Sequence, residues 1–309
     1  MVKLLEKFPL PISGLILGLA ALGNLLQSYG EVFRIILGAI AGILLILFMA
    51  KLVIFAQQVK ESLNNPVVAS VFPTFPMAVM LLSTYLKPNL PTLAVAMWFG
   101  GLILHLLLII WFSVKYVNKF KLKQFFPSWL IVYVGIAITS ITAAAYNMTI
   151  VGQIAFWFGL AAYPFLLSLT LIRIIKVKEI PEPAMPTLAI LAAPASLLLA
   201  GYLRAFAEKN MLLVFLLMAL SFVFYAAVIV MLPKLLRLKF YPSYSAFTFP
   251  LIISGMGMKL ANSFLTDSNQ VIPLLRYIVY FQEIVAVLIT LYVLIKYVQF
   301  LTAPAPSPG

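Results

Sequence analysis

Few side chains in this sequence could carry out acid–base or metal chemistry, and they lie far apart. Its 309 residues include no cysteine and a single histidine, His105, so neither a thiolate nucleophile nor a zinc site with the usual ligands is expected. We find no nucleophile–base pair, glycine-rich phosphate loop or metal-ligand spacing in the chain. We therefore predict that the protein is not an enzyme and holds no metal or other cofactor.

One acidic residue lies where acidic residues are rare. Most of the eight Asp and Glu residues lie near helix ends or in loops, whereas Glu283 falls inside the last long apolar segment. A carboxylate inside a bilayer is costly and is often functional. Glu283 could pair with Lys259 or with an amide, and Lys259 could equally make the outer mouth of a pathway electropositive. His105 could be a packed, hydrogen-bonded side chain or a proton relay.

The composition indicates the setting of these residues. Hydrophobic residues make up 64% of the chain and charged residues 9%, whereas a soluble domain has about 45–50% apolar and about 25% charged residues. One soluble core cannot cover that much apolar surface, so the sequence predicts an integral membrane protein in contact with a lipid bilayer. We interpret the net charge of +13 as a topology signal and predict no nucleic-acid partner.

Ten segments are long and apolar enough to cross a bilayer, which takes about 20 helical residues. The predicted spans are 9–28, 32–58, 67–86, 92–118, 127–147, 150–177, 186–206, 211–237, 244–264 and 271–300. They form a single transmembrane channel domain over 1–301, and the Pro-rich residues 302–309 are expected to be a disordered tail.

Basic residues are divided unequally between the two faces that these spans define. One face receives 15 of the 21 Lys and Arg residues, and the other face receives 6. An excess of Lys and Arg marks the cytoplasmic side of a membrane protein. We therefore predict a multi-pass protein of the plasma (inner) membrane with both termini in the cytoplasm.

The odd-numbered spans begin with a shared signature in which proline follows an apolar or aromatic residue. These prolines are Pro9, Pro73, Pro127, Pro186 and Pro242, separated by 54–64 residues. One helical hairpin repeated five times explains this spacing. Because the odd spans are shorter and richer in helix breakers, we predict an all-α fold with an inner ring of odd helices and an outer ring of even helices in pseudo-five-fold arrangement.

Helix breakers and small residues recur deeper in the odd spans. A proline in mid-helix removes a backbone hydrogen bond and bends the helix, and small residues either leave space or let helices pack closely. We predict a central pathway, with a closely packed core as the alternative. The candidate lining residues are Gly14, Gly18, Pro76, Gly135, Thr139, Pro194, Ser254 and Gly255.

The predicted lumen has hydroxyls, glycines and aromatic rings but almost no charge. A cation pathway would require acidic side chains within the bilayer, and a tight anion site would require clustered arginines or paired N–H groups. Neither is evident in the sequence. A weakly selective conduit for small anions fits this composition best.

Two stretches of the chain are similar to a known family. They are FPLPISGLILGLAALG at 8–23 and AFTFPLIISG at 246–255. With the alternation of short and long helices, they resemble the bacterial tellurite-resistance TehA proteins, the plant guard-cell slow anion channels and the fungal malate permeases. The resemblance implies five hairpins around a central anion pore, and a homotrimer with one pore in each subunit.

The resemblance also assigns a role to one aromatic residue. In that family an aromatic side chain of the ninth helix plugs the pore, and Phe249 matches it; Phe247 would face about 200° away on an α-helix. The implied function is a channel for small monovalent anions such as chloride and nitrate, with Phe249 as its gate and Pro250 as the gate hinge. The alternative is a proton-coupled carrier of C4-dicarboxylates such as malate, or a tellurite-related transporter, with Glu283 and His105 as coupling groups.

Overall fold

The computed structural model describes residues 2–118, 120–177 and 179–303, and these residues form helices and loops without any strand. This confirms the predicted all-α class. The last helix continues through residue 302, and residues 304–309 of the predicted tail lie outside the described part of the chain.

The α-helices are numbered here in chain order. They are α1 Val2–Lys7, α2 Ile12–Leu26, α3 Glu31–Ile54, α4 Ala56–Ser62, α5 Pro66–Val71, α6 Thr74–Leu86, α7 Pro91–Phe112, α8 Trp129–Val134, α9 Ile138–Thr142, α10 Thr149–Ile172, α11 Ala193–Ala205, α12 Met211–Leu235, α13 Phe249–Asp267 and α14 Leu275–Thr302. Short 3₁₀ segments extend several of them, including Gly135–Ala137, Glu182–Ala192 and Pro242–Phe247. Two π-helical turns, Ser113–Val117 and Arg173–Val177, end α7 and α10.

Each of the ten predicted spans coincides with helix, but the ninth span is less apolar than the others. Within the described ranges, nine helical stretches are long and apolar enough to cross a membrane. The predicted ninth span, 244–264, corresponds to the 3₁₀ segment Pro242–Phe247 followed by α13, which is not among these nine. Lys259 and Asn262 make α13 more polar than the other spans.

Burial separates the spans into two classes. In the first, third, fifth and seventh spans, 72–94% of the most apolar 18 residues are buried inside the protein. In the five even spans the buried share is 22–33%. The even helices therefore present most of their apolar surface outward, as lipid-facing helices do.

Contacts between the helices close the inner layer into a ring. Helix α2 packs against α6, α6 against α9, α9 against α11, α11 against α13, and α13 against α2. Each outer helix packs on its own inner partner: α3 on α2, α7 on α6, α10 on α8 and α9, α12 on α11, and α14 on α13. The inner segments therefore surround a common central space.

The prolines predicted to kink the inner helices lie in first turns instead. Pro76 is the third residue of α6, and Pro194 and Pro250 are the second residues of α11 and α13. A first-turn proline loses no helix hydrogen bond, because the N–H groups there have no acceptor within the helix. The prediction of mid-helix kinks at these prolines was wrong. The α-geometry begins just before them, after a 3₁₀ segment in the seventh and ninth spans.

Two adjacent glycines of α7 test the close packing of the outer ring on the inner ring. A Cβ on Gly101 would lie 2.8 Å from Met80 Cγ and 3.0 Å from the Pro76 carbonyl oxygen, whereas a Cβ on Gly100 would meet nothing within 4 Å. We expect Gly101→Ala to destabilise the protein by about 1–3 kcal/mol through overpacking. Gly100→Ala is expected to be neutral or slightly stabilising, because alanine favours helix. Thermal unfolding in detergent measures both, and equal melting temperatures would contradict this packing.

Candidate functional site

A cavity of about 40 Å³ lies within the inner ring, and all five inner spans contribute to its wall. One wall residue from each span, in chain order, is Gly14, Thr74, Gly135, Pro194 and Phe249. This volume is enough for a few water molecules. The cavity is thus a small space on the axis that the ring encloses.

The wall of this cavity is apolar and uncharged. No Lys, Arg, Asp or Glu from the described residues contributes to it, and the hydroxyl-bearing wall residues are Thr74 and Ser245. The Thr74 hydroxyl is already engaged, because Oγ1 donates to the Val71 carbonyl at 2.8 Å and lies 2.7 Å from Ser13 Oγ. An ion in this space would meet weak dipoles rather than a counter-charge, so it could pass without being held tightly.

Phe249 and Phe247 point in different directions. Phe249 contributes to the cavity wall and is 6% exposed. Phe247 is fully buried outside the cavity wall, with its ring centroid 5.0 Å from that of Tyr244. Between them, Thr248 has φ −85° and ψ −82°, which is neither 3₁₀ nor α geometry. The backbone therefore changes conformation directly before Phe249.

The side chain of Thr248 joins this part of the backbone to α2, the helix of the first span. Its Oγ1 lies 2.7 Å from the Ser245 carbonyl oxygen and 3.1 Å from the Gly14 carbonyl oxygen. A Cβ on Gly18 would lie only 2.5 Å from Thr248 Oγ1, so Gly18 is the residue that allows α2 and Thr248 to approach. Gly18 therefore serves helix packing and does not contribute to the wall of this cavity.

Four other predicted lining residues also lie away from the cavity. The Pro76 carbonyl faces Gly101 of α7, and Thr139 Oγ1 donates to Met80 Sδ at 3.5 Å. Ser254 Oγ lies 2.8 Å from the Pro250 carbonyl oxygen and 3.0 Å from the Ala192 carbonyl oxygen. Gly255 faces Gln282 of α14 and Leu25 of α2. These residues join helices to one another, which is the packing alternative for small and hydroxylated residues.

Sequence reasoning did not single out Thr74 and Met77, which line the cavity with the predicted Gly14, Gly135 and Pro194. The sequence did contain a signal for Thr74. In four of the five inner spans, the opening proline is followed directly by a residue with a hydroxyl group. These residues are Thr74, Ser128, Thr187 and Ser243. All four are buried and hydrogen-bonded.

Glu283, which is buried, forms an ion pair with Lys259, which is partly exposed. Lys259 Nζ lies 2.6 Å from one carboxylate oxygen of Glu283, and the Tyr29 hydroxyl donates to the other oxygen at 2.6 Å. Lys259 also donates to the Leu25 carbonyl at 3.0 Å and to Ser28 Oγ at 2.7 Å. This cluster joins the C-terminal end of α2 and the following turn, Gln27–Tyr29, to the interior of α13 and α14, and neither charged residue contributes to the cavity wall.

His105 is fully buried between the two rings. Its Nε2 lies 3.1 Å from the Val132 carbonyl oxygen, and its Cε1 would lie 3.3 Å from a Cβ on Gly135. Among the described residues its Nδ1 has no hydrogen-bond partner. The imidazole thus packs behind a wall residue without lining the cavity itself.

Removing one partner of the Lys259–Glu283 pair is expected to destabilise the protein. Glu283→Leu leaves the Tyr29 hydroxyl without its acceptor and the Lys259 ammonium without its counter-charge. We expect a cost of about 1–3 kcal/mol, limited by the partial exposure of Lys259 and by its remaining acceptors, the Leu25 carbonyl and Ser28 Oγ. Adding Lys259→Met removes the unpaired charge, so the double variant should recover most of the lost stability. Thermal unfolding of the two single variants and the double variant measures the coupling. Additive losses would contradict the assigned pair.

Comparison with known proteins extends this description. A model of the SLAC1 family, described as a voltage-dependent anion channel, matches residues 7–298. The match covers nearly the whole chain and includes all the residues of the cavity wall. No curated protein sequence matches the chain.

Proposed function

The chain belongs to the SLAC1 family of voltage-dependent anion channels, and from that premise we propose that it conducts small monovalent anions such as chloride and nitrate through its central cavity. The observation that carries the proposal is the cavity itself, which all five inner spans line without a charged side chain. The cavity lies on the axis of the ring, where a single pathway through the protein would run.

Weak selectivity follows from the chemistry of the wall. An anion that enters must give up part of its hydration shell, and the wall returns only hydroxyl and backbone dipoles. Anions that lose water easily are favoured under these conditions, so we expect nitrate to pass at least as readily as chloride. A fixed positive charge in the wall would bind anions more tightly and slow their release.

Phe249 is proposed to close this pathway. Phe249 forms part of the wall of this small cavity, where the bulk and the apolar surface of an aromatic ring both hinder the passage of a hydrated ion. The non-helical geometry of Thr248 and the first-turn position of Pro250 place a flexible junction directly beside the ring. We infer that the ring leaves the axis when the chain moves at this junction, so the hinge comprises Thr248 as well as Pro250.

The carrier alternative receives less support. Coupling to protons requires a titratable group that the substrate or its pathway reaches. Glu283 is bound to Lys259 and Tyr29, and His105 packs behind Gly135. Because neither lines the cavity, we do not expect a proton gradient to drive uphill malate transport by this protein.

The orientation of the protein in the membrane and its oligomeric state are proposed from the sequence. The division of Lys and Arg, 15 of 21 on one face, supports cytoplasmic termini in the plasma (inner) membrane. The homotrimer with one pore in each subunit rests on the resemblance of the two quoted stretches. A pore within each subunit agrees with an inner ring closed by one chain.

Removal of the Phe249 ring tests both the pathway and the gate. We expect Phe249→Ala to raise anion current about tenfold or more, because it removes a large apolar ring from the wall of the small central cavity. The measurement is anion-substitution electrophysiology on the reconstituted protein, with chloride and nitrate compared.

The matched control is Phe247→Ala. Phe247 is a buried neighbour on the same segment but does not line the cavity, so its loss should reduce stability without raising the current. Equal currents in wild type and Phe249→Ala, in samples shown to be folded, would defeat the gate. Equal increases in both variants would mean that loosened packing, rather than ring removal, opens the pathway.

A further inference from the structure

A groove of about 440 Å³ opens on the lateral surface between α7 and α10. Trp129 and Tyr133 of the fifth span form its floor, and Phe120 and Phe165 line its sides. Its two hydroxyl groups are paired with each other, because the Tyr133 hydroxyl lies 2.8 Å from Ser113 Oγ. The third polar group of the lining residues, Trp129 Nε1, is buried without a hydrogen-bond partner among the described residues. The groove therefore offers a neutral, aromatic surface to the surrounding lipid.

Basic side chains lie at one end of this groove. Phe120 and Phe125 line the groove, and the same loop carries Lys121 and Lys123. Lys176 lies in the π-helical turn that ends α10. The side chains of all three lysines are exposed, and none of their ammonium groups forms a hydrogen bond or ion pair with another described residue.

Arg173 holds the two basic segments together. Its Nη2 donates to the Lys123 carbonyl at 3.4 Å and to the Glu179 carbonyl at 2.8 Å, and the Leu122–Gln124 turn packs against Arg173–Val177. The Arg173 side chain is 2% exposed, and its Nε and Nη1 have no partner among the described residues. Positive charge is thus concentrated where the two segments meet.

Two further features distinguish this region. Residues 115–123 and 173–178 hold seven of the 21 Lys and Arg residues and no acidic residue. The helices on either side of the groove both end in π-helical turns, a rare geometry that is found frequently at functional sites. A general excess of cytoplasmic charge explains the sign of this cluster, but it does not explain its place beside an aromatic groove.

We propose that this groove binds an anionic phospholipid such as phosphatidylglycerol. An acyl chain lies along the floor of Trp129 and Tyr133, and the phosphate lies among Lys121, Lys123 and Lys176. The floor helix α8 also contributes Leu130 and Val134 to the central cavity. The bound lipid would therefore contact a helix that forms part of the pathway wall.

The charge requirement is tested by native mass spectrometry of the full chain with phosphatidylglycerol and phosphatidylcholine. Wild type should bind phosphatidylglycerol preferentially. The triple variant Lys121→Gln, Lys123→Gln, Lys176→Gln should lose about fivefold in this preference for each lysine removed. The control triple Lys234→Gln, Arg237→Gln, Lys239→Gln removes equal charge elsewhere and should keep the preference. Equal effects of both triples, or no effect of the first, would overturn the site.

The groove itself is tested by two adjacent alanines of α10. Ala162 lines the groove, whereas Ala161 is exposed on α10 outside it. Ala162→Trp should fill the groove and abolish preferential binding of phosphatidylglycerol, and Ala161→Trp should leave it unchanged. Inorganic phosphate should not displace the lipid. Retained binding in Ala162→Trp, displacement by phosphate, or an altered oligomeric state in Ala162→Trp alone would each overturn the proposal.

Discussion

Every backbone N–H and C=O group inside a bilayer must find a partner within the protein, and the two-ring architecture follows from that constraint. The inner spans are broken, with 3₁₀ segments at Gly135–Ala137 and before α11 and α13. Carbonyls in two of these breaks accept hydrogen bonds from side-chain hydroxyls: Thr248 donates to Ser245, and Ser254 donates to Ala192. The outer helices are long, and they keep the broken segments away from lipid. A broken inner ring is therefore possible only because an outer ring of long helices encloses it.

The division into an inner and an outer ring also determines where charged side chains lie. Buried charges must be paired or expelled from apolar surroundings. Glu283 and Lys259 neutralise each other where α2, α13 and α14 meet, outside the cavity wall. The central cavity keeps only hydroxyl and backbone dipoles, with the ring of Phe249 in its wall. A pathway of this kind binds ions weakly and is closed by a change in one side chain's position, which is what the proposed function requires.

Much of the fold could be predicted from the sequence, because a long apolar run is a strong signal and lipid exposure enforces it. The predicted spans coincide with helix to within a few residues. It was harder to predict which residues of an inner span face the central cavity. A 3₁₀ turn has three residues where an α-turn has 3.6, so each break rotates the residues that follow. Gly14, Gly135 and Pro194 line the cavity, whereas Gly18, Thr139 and Gly255 contact neighbouring helices. The role of Phe249 came from family resemblance, since its orientation depends on the local geometry of Thr248.

The central claim is that ions pass through the cavity inside the ring, and neighbouring residues of α8 allow a direct measurement. Val134 lines the cavity, Tyr133 lines the lateral groove, and the chain has no native cysteine. In a Phe249→Ala background, a single cysteine is introduced at either position and the anion current is recorded during treatment with a charged thiol reagent. The account predicts that the reagent blocks the current of Val134→Cys and leaves that of Tyr133→Cys unchanged. Block at Tyr133→Cys alone, or at neither position in protein shown to conduct, would contradict it.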